Sequence, residues 1–242
     1  MAGCMNLHTA IDRPQPMLFR ASDFWTLRTA DRFAAYEKSE LIEGELLGVP
    51  RQAEDEDESD ARVPIRLSVE DYALLDRSGA FVDVGNTELI DGVVYTVSPQ
   101  HRPHGFAKDE IAFALRLALK GLHTPWHVAT EQSVVFDDRN EPQPDIILTS
   151  EPRGDGPIPG SSVALVVEVS ATTAGYDLTE KVRLYASSGV PEYWVADIKA
   201  ERMYRLSSPE ENRYAQRSEI SFGEVVQAVT IPGLAIDTDT LR

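Results

Sequence analysis

Four segments between residues 144 and 194 decide the fold. They read PDIIL at 144–148, VALVVEVS at 163–170, DLTEKVRLY at 177–185 and GVPEYW at 189–194. The second is a near-continuous run of apolar, mostly β-branched residues with the length of one strand. Such runs lie in the middle of sheets that are covered on both faces. The sequence therefore predicts a buried central strand that contains Glu168.

Two carboxylates and one lysine accompany this strand. Asp145 opens the short strand before it, Glu168 lies inside it, and Lys181 follows on a segment with helical spacing. A buried carboxylate is costly to keep charged unless a cation or hydrogen bonds compensate. Two acids and a lysine around one sheet are typical of a divalent-metal site for phosphodiester chemistry. From spacing alone, a strand-end turn role for Asp145 and an arginine partner for Glu168 remain open.

The order of these motifs resembles the Uma-type putative restriction endonucleases, a family of the PD-(D/E)XK nuclease superfamily. The likeness runs from about Arg66 to the C-terminus and is most specific between Tyr185 and Trp194. The chain departs from the superfamily pattern at one position, because Ser170 stands where Glu-x-Lys would place the lysine. The resemblance implies that the next helix supplies this lysine, which is Lys181 here.

The resemblance also implies a set of roles. Asp145 and Glu168 would hold Mg²⁺ or Mn²⁺, with Glu88 of the Glu-Leu-Ile-Asp-Gly motif as a further metal or water ligand. Lys181 would lie beside the attacking water, and His104 near the phosphate. A solvent-facing Glu88 and a capping or packing His104 are the structural alternatives. Asp177 and Tyr185 match family positions too, but helix capping and core packing account for them.

Composition limits the class of protein. The chain has 242 residues, 42% of them hydrophobic, and a formal charge of −17, of which six negative charges lie in residues 54–60. An acidic surface repels polyanions, which argues against a protein that coats nucleic acid. The single cysteine predicts a reducing, cytoplasmic setting. No apolar run approaches the roughly 18 residues of a membrane span, so we expect no membrane partner.

An internal repeat precedes the segments at 144–194. At a fixed offset of 48, Asp23 aligns with Asp71, and Glu40-Leu41-Ile42 aligns with Glu88-Leu89-Ile90. Each copy predicts a short helix, a loop and a hairpin, with Glu43-Gly44 or Asp91-Gly92 at the turn. We expect the second copy to be the working one and the first to cover a sheet edge or a subunit contact. Residues 1–62 are thus predicted to be an arm with a partial duplicate and an acidic linker, and residues 63–242 the main domain.

The predicted fold class is α/β of the mixed α+β kind, with a restriction-endonuclease-like central sheet flanked by helices. The leading function is a metal-dependent endonuclease that acts on nucleic acid, with DNA as the expected substrate and a homodimer as a possible assembly. A non-catalytic interaction or regulatory protein that keeps this fold is the alternative, favoured by the charge of −17 and by Ser170. A glycosidase carboxylate pair is a third interpretation, but it leaves Lys181 without a role.

Overall fold

The computed structural model describes residues 14–51, 61–97 and 100–242, which fall into two compact units. Of the described residues, the sheet unit contains 100–132 and 144–242, and the repeat unit contains 14–51, 61–97 and 133–143. The helices are α1 Ala21–Thr29, α2 Val69–Arg77, α3 Arg102–Leu119, α4 Ala174–Asp177 and α5 Glu180–Ser187. No helix within the described ranges is both long enough and apolar enough to cross a bilayer.

The described residues form strands throughout both units. They are β1 Gln15–Pro16, β2 Tyr36–Ile42, β3 Glu45–Pro50, β4 Val63–Pro64, β5 Thr87–Ile90, β6 Val93–Thr96, β7 His127–Thr130, β8 Val134–Val135, β9 Ile146–Thr149, β10 Ile158–Pro159, β11 Val163–Ser170, β12 Glu192–Asp197, β13 Arg202–Glu210, β14 Arg213–Ser221, β15 Val225–Gln227 and β16 Ala235–Asp237.

The sheet unit is built on a six-stranded mixed sheet with the order β14-β13-β12-β11-β9-β7. The strand β11 pairs in parallel with β12 and antiparallel with β9, and all eight of its residues are buried. The parallel pair is joined through α4 and α5, because parallel neighbours need a crossover connection. The predicted mixed sheet with a fully buried central strand is therefore confirmed.

The core of the sheet unit lies between α3 and one face of the sheet. Ala107, Ile111 and Leu115 of α3 belong to the same buried cluster as Leu165 and Val167 of β11. Since side chains alternate along a strand, every second residue of β11 points to the opposite face of the sheet, towards α4 and α5. Glu168 is one of these, so its carboxylate lies on the α5 side of the sheet.

The structure corrects two details of the sequence interpretation. Asp177 does not cap the helix that follows. It is the last residue of the short helix α4, and Thr179 occupies the N-cap position of α5. The strand β14, which pairs along its whole length with β13, was not expected. Its exposed polar residues, such as Arg213 and Arg217, give a weak strand signal because the strand lies at the edge of the sheet.

The repeat unit contains both copies of the repeat, and each copy folds as predicted. The hairpins β2–β3 and β5–β6 are antiparallel, and the turn residues Glu43 and Gly44, like Asp91 and Gly92, all have positive φ. This is the conformation of a two-residue hairpin turn, for which Asp-Gly is a strong signal. The predicted division into an N-terminal part, residues 1–62, and a main domain, residues 63–242, stays a prediction.

Candidate active site

The strand register brings Asp145 and Glu168 together. In the antiparallel pair of β9 and β11, Ile146 lies opposite Val167, so the residue before Ile146 lies beside the residue after Val167. The backbone amide of Asp145 is 3.5 Å from Oε2 of Glu168, and the amide of Val169 donates to Oδ2 of Asp145 at 2.8 Å. The two acids are 23 positions apart in sequence, yet they meet at one end of two neighbouring strands.

Glu168 is buried and receives two charge-assisted contacts from α5. Nζ of Lys181 and the hydroxyl of Tyr185 both donate to its Oε1, each at 2.7 Å. Lys181 and Tyr185 are four residues apart, so they lie on the same face of the helix. The side chains of Glu168 and Lys181 are only 5% and 9% exposed. Hydrogen bonds to a carboxylate in such a site favour its charged form.

Asp145 is held by a second group of donors. Nε2 of His104 lies 3.2 Å from Oδ2 of Asp145, and Nε2 of Gln100 donates to its Oδ1 at 3.2 Å. Burial raises the pKa of Asp145, but His104, the Val169 amide and the Lys181 charge together outweigh burial, so the pKa lies below its ordinary value. Asp145 is therefore ionised at neutral pH.

His104 occupies the third position of α3, whose N-cap is His101. Its Nδ1 is buried and has no hydrogen-bond partner within the residues that the structure describes. An unsatisfied buried ring nitrogen is costly. The capping alternative does not account for His104, because its Nε2 contacts Asp145 instead.

A second buried lysine lies one turn after His104. Lys108 donates to Oε1 of Gln100 at 2.7 Å and also contacts Oε1 of Glu131. Since Gln100 in turn donates to Asp145, Lys108 fixes which end of the Gln100 amide faces the carboxylate. The position of Lys108 on the apolar stripe of α3 predicts its burial, whereas no sequence signal indicates Gln100.

Asp177 adds a further acid near Lys181. It is buried and accepts a hydrogen bond from Thr173 at 2.6 Å. Burial raises its pKa, which the charge of Lys181 and the Thr173 hydroxyl offset only in part. Its environment thus differs from that of Asp145, whose pKa is lowered.

Glu88 lies in the repeat unit, on strand β5. It is buried, and its Oε1 accepts from the Gln143 amide at 3.1 Å, so the solvent-facing alternative for this residue is wrong. Its role as a metal or water ligand stays a prediction.

The acids Asp145 and Glu168 can be tested as ligands of a hard cation. Both are buried carboxylates, and the Asp145 backbone amide lies 3.5 Å from Oε2 of Glu168. Mg²⁺ prefers one or two carboxylates with water and phosphate oxygens, so this pair has the chemistry of a ligand set for such a cation. Over residues 14–51, 61–97 and 100–242, no group of three His, Cys, Asp or Glu is placed to hold a metal ion.

Tyr185 is the residue whose importance sequence reasoning underrated. It was assigned to core packing, and it is indeed fully buried, with its ring tilted against that of Tyr193 and the ring centroids 4.9 Å apart. Its hydroxyl nevertheless contacts the same oxygen of Glu168 as Lys181. The spacing of four residues from Lys181 was the available signal.

Glu192, by contrast, is held by contacts within the fold. Its carboxylate accepts from the Trp194 indole at 2.7 Å and from the amides of Val229 and Thr230.

Comparisons with known proteins agree with this description. The family model described as "Uma2: Putative restriction endonuclease" matches residues 69–239. A solved structure of a putative nuclease belonging to DUF820 from Anabaena variabilis ATCC 29413 is 14% identical, with a TM-score of 0.51. The match covers 67% of this chain and 95% of that chain, and it shows that the two share a fold. No curated protein matches the chain.

Proposed function

Because the chain belongs to the Uma2 family, described as putative restriction endonucleases, we propose that it is a metal-dependent endonuclease that hydrolyses phosphodiester bonds in nucleic acid. The observation that carries the proposal is the contact of Lys181 and Tyr185 with one oxygen of Glu168, beside Asp145. A lysine buried against paired carboxylates is costly as a structural device, because each charge loses hydration. The same arrangement suits a reaction in which negative charge develops on a phosphate.

Each side chain has a role in this proposal. Asp145 and Glu168 would hold Mg²⁺ or Mn²⁺, with Glu88 as an assisting ligand. The bound cation would lower the pKa of a coordinated water and neutralise phosphate charge. Lys181, which donates to Glu168, would orient a water beside that carboxylate for attack on phosphorus. Tyr185 keeps Glu168 in place, and His104 on Asp145 is positioned to contact a phosphate oxygen or to transfer a proton.

DNA is the proposed substrate. The acidic chain disfavours broad electrostatic binding, so affinity would depend on the cation and on contacts close to the cut. We also propose that the protein acts as a homodimer.

The test is cleavage of supercoiled DNA, linear DNA and RNA by the purified full chain with Mg²⁺ or Mn²⁺. We expect Asp145→Asn, Glu168→Gln and Lys181→Met each to lower the rate roughly a hundredfold or more, in the range found when a charge-stabilising group is removed. Lys199→Met is the matched control, because Lys199 is exposed on a turn. A folded protein that cuts none of these substrates with either metal contradicts the proposal.

A non-catalytic interaction protein with the same fold remains the second candidate, favoured by the charge of −17 and by Ser170. Calorimetric titration with Mn²⁺ separates the two candidates. Binding that disappears in Asp145→Ala and Glu168→Ala supports the nuclease, whereas the absence of binding supports the interaction protein.

A further inference from the structure

Helix α3 presents an apolar line to solvent on the side away from the core. Phe106, Phe113 and Leu117 are 58%, 63% and 57% exposed. Their spacing of seven and four residues places them along one face of the helix, whereas Ala107, Ile111 and Leu115 fill the core side. The line spans about 16 Å, because a helix rises 1.5 Å per residue. Apolar exposure of this kind on one element marks an interaction surface.

Charged residues flank this line in an ordered way. Asp109 lies on one flank in the first half of the helix, and Arg116 lies on the same flank in the second half. Both side chains are exposed. In a parallel twofold pair, the flank that carries Asp109 and Arg116 would lie beside the Phe106 and Leu117 flank of the other copy, so no Asp109–Arg116 pair would form. An antiparallel copy of α3 related by a twofold axis at Phe113 would bring each Asp109 level with Arg116 of the other copy.

We propose that the α3 helices of two copies of this chain pack antiparallel to form a twofold dimer centred on Phe113. On one flank, Asp109 of each copy pairs with Arg116 of the other. On the other flank, Phe106 of one copy and Leu117 of the other lie on the same side of the pair, offset by about 4.5 Å along the helix axis. The surface is thus self-complementary in charge, as an isologous interface requires.

Other occupants fit this surface less well. A nucleic acid would meet an apolar line with an acid beside it, in a chain that is acidic overall. Helices that lie on membranes carry Lys and Arg along the polar face, whereas this flank alternates in sign. A second copy supplies both the apolar line and the opposite charges. The inference rests on exposure and charge, so it stands or falls independently of the proposed nuclease activity.

The first test is the mass of the full chain in solution between about 1 and 100 µM, by sedimentation velocity. We expect a dimer of twice the chain mass of 26.8 kDa. Phe113→Glu should raise the dimer dissociation constant roughly thirtyfold or more, because it places a charge at the centre of the interface. Val82→Glu is the matched control: Val82 is also an exposed apolar residue, at 81%, but it lies in the repeat unit. Circular dichroism checks that both variants stay folded.

The second test uses charge reversal. Asp109→Arg and Arg116→Glu should each weaken the dimer roughly tenfold or more, because each leaves like charges opposite each other. An equimolar mixture of the two variants should recover the dimer, since every new arginine then lies level with a new glutamate and every remaining Arg116 with a remaining Asp109. The double variant should dimerise by itself for the same reason.

Three outcomes overturn the proposal. One is a monomer over the whole concentration range, and another is a dimer that Phe113→Glu leaves unchanged. The third is a mixture of the two charge variants that is no more dimeric than either variant alone.

Discussion

The two copies of the repeat have the same backbone conformation, but their side chains have different surroundings. The amide of Phe19 donates to the carbonyl of Gly44, and the amide of Leu67, 48 residues later, donates to the carbonyl of Gly92, both at 2.8 Å. A Cβ added at Gly44 would lie 2.7 Å from Leu18, and one at Gly92 would lie 2.8 Å from Arg66, again at the same offset. Both glycines are thus required by the turn and by close packing.

Each copy of the repeat pairs with the short strand that precedes the other copy. The strand β1, before the first copy, pairs with β6 of the second, and β4, before the second copy, pairs with β3 of the first. Gln15 lies opposite Thr96, and Val63 lies opposite Gly48, so the two registers also correspond at an offset of 48. Each hairpin is therefore completed by the segment that precedes the other copy. The role expected for the first copy itself, to cover a sheet edge or a subunit contact, stays a prediction.

The acids at equivalent positions show what separates the copies. Glu40 contacts Lys38 and Arg62 near the surface, and the Lys38 and Arg62 hydrogen bonds lower its pKa. Glu88 is buried instead, and its carboxylate accepts a hydrogen bond from the Gln143 amide. The family match begins at residue 69 and so contains only the second copy. The two copies therefore keep the same fold, but of the equivalent glutamates Glu40 and Glu88 only Glu88 is buried.

The largest expected effect is on the free energy of unfolding. It shows whether the two copies contribute equally to the stability of the repeat unit. Leu27 and Leu75 are equivalent residues, both fully buried in one cluster. We expect Leu27→Ala and Leu75→Ala each to lower the free energy of unfolding by about 3 kcal/mol, from lost burial and the cavity left behind. Urea unfolding measures both, with Leu18→Ala, at an exposed position, as the control. A loss from Leu75→Ala alone would show that the first copy adds little stability.

The next prediction concerns the acids. If Glu88 assists the proposed reaction, Glu88→Gln should lower the cleavage rate roughly a hundredfold, which is about 2.7 kcal/mol at 1.36 kcal/mol per decade. Glu40→Gln should leave the rate unchanged. Equal rates for the two variants, with both folded, would remove Glu88 from the mechanism and leave the site residues of the sheet unit.

Tyr72 provides a test that depends on pH. It takes the position of Phe24 in the first copy, and its hydroxyl contacts Thr87. Burial raises the pKa of Tyr72 to about 12. Since this pKa exceeds the unfolded value of about 10, the unfolded chain loses the proton first, and stability falls as pH rises from about 10 to about 12.

We expect the wild-type protein to lose roughly 2 kcal/mol of stability through this group over that range. Tyr72→Phe starts about 1 kcal/mol less stable at pH 8 because it lacks the hydrogen bond, and its deficit should shrink and then reverse as pH rises. Urea titrations at several pH values measure the difference. A constant deficit contradicts the assigned cause.

The smallest expected effect on stability comes from the N-cap positions of α1 and α2. Ser68 accepts a hydrogen bond from the Asp71 amide through its side chain, whereas Arg20, its counterpart before α1, makes no such bond. We expect Ser68→Ala to cost about 1 kcal/mol and Arg20→Ala less than about 0.5 kcal/mol, since the Asp23 carboxylate still accepts from the residue 20 amide. Thermal unfolding compares them, and equal losses would mean that the serine cap contributes nothing.

Sequence alone determined the parts of this protein that depend on local pattern. The apolar run at 163–170 predicted a buried strand, the Asp91-Gly92 pair a hairpin turn, and the offset of 48 a repeated unit. These signals work because periodicity, turn conformation and burial are set by neighbouring residues. The same patterns, with the family resemblance, singled out Asp145, Glu168, Lys181 and His104, which the structure brings into one site.

Tertiary structure alone decided how distant segments meet. The contact of Tyr185 with Glu168, the relay from Lys108 through Gln100 to Asp145 and the exchange of β1 and β4 all depend on strand register and helix placement. A shift of one residue in register would turn every side chain of a strand to the other face. Long-range register is fixed by the packing of the whole sheet, and therefore no single segment of the sequence states it.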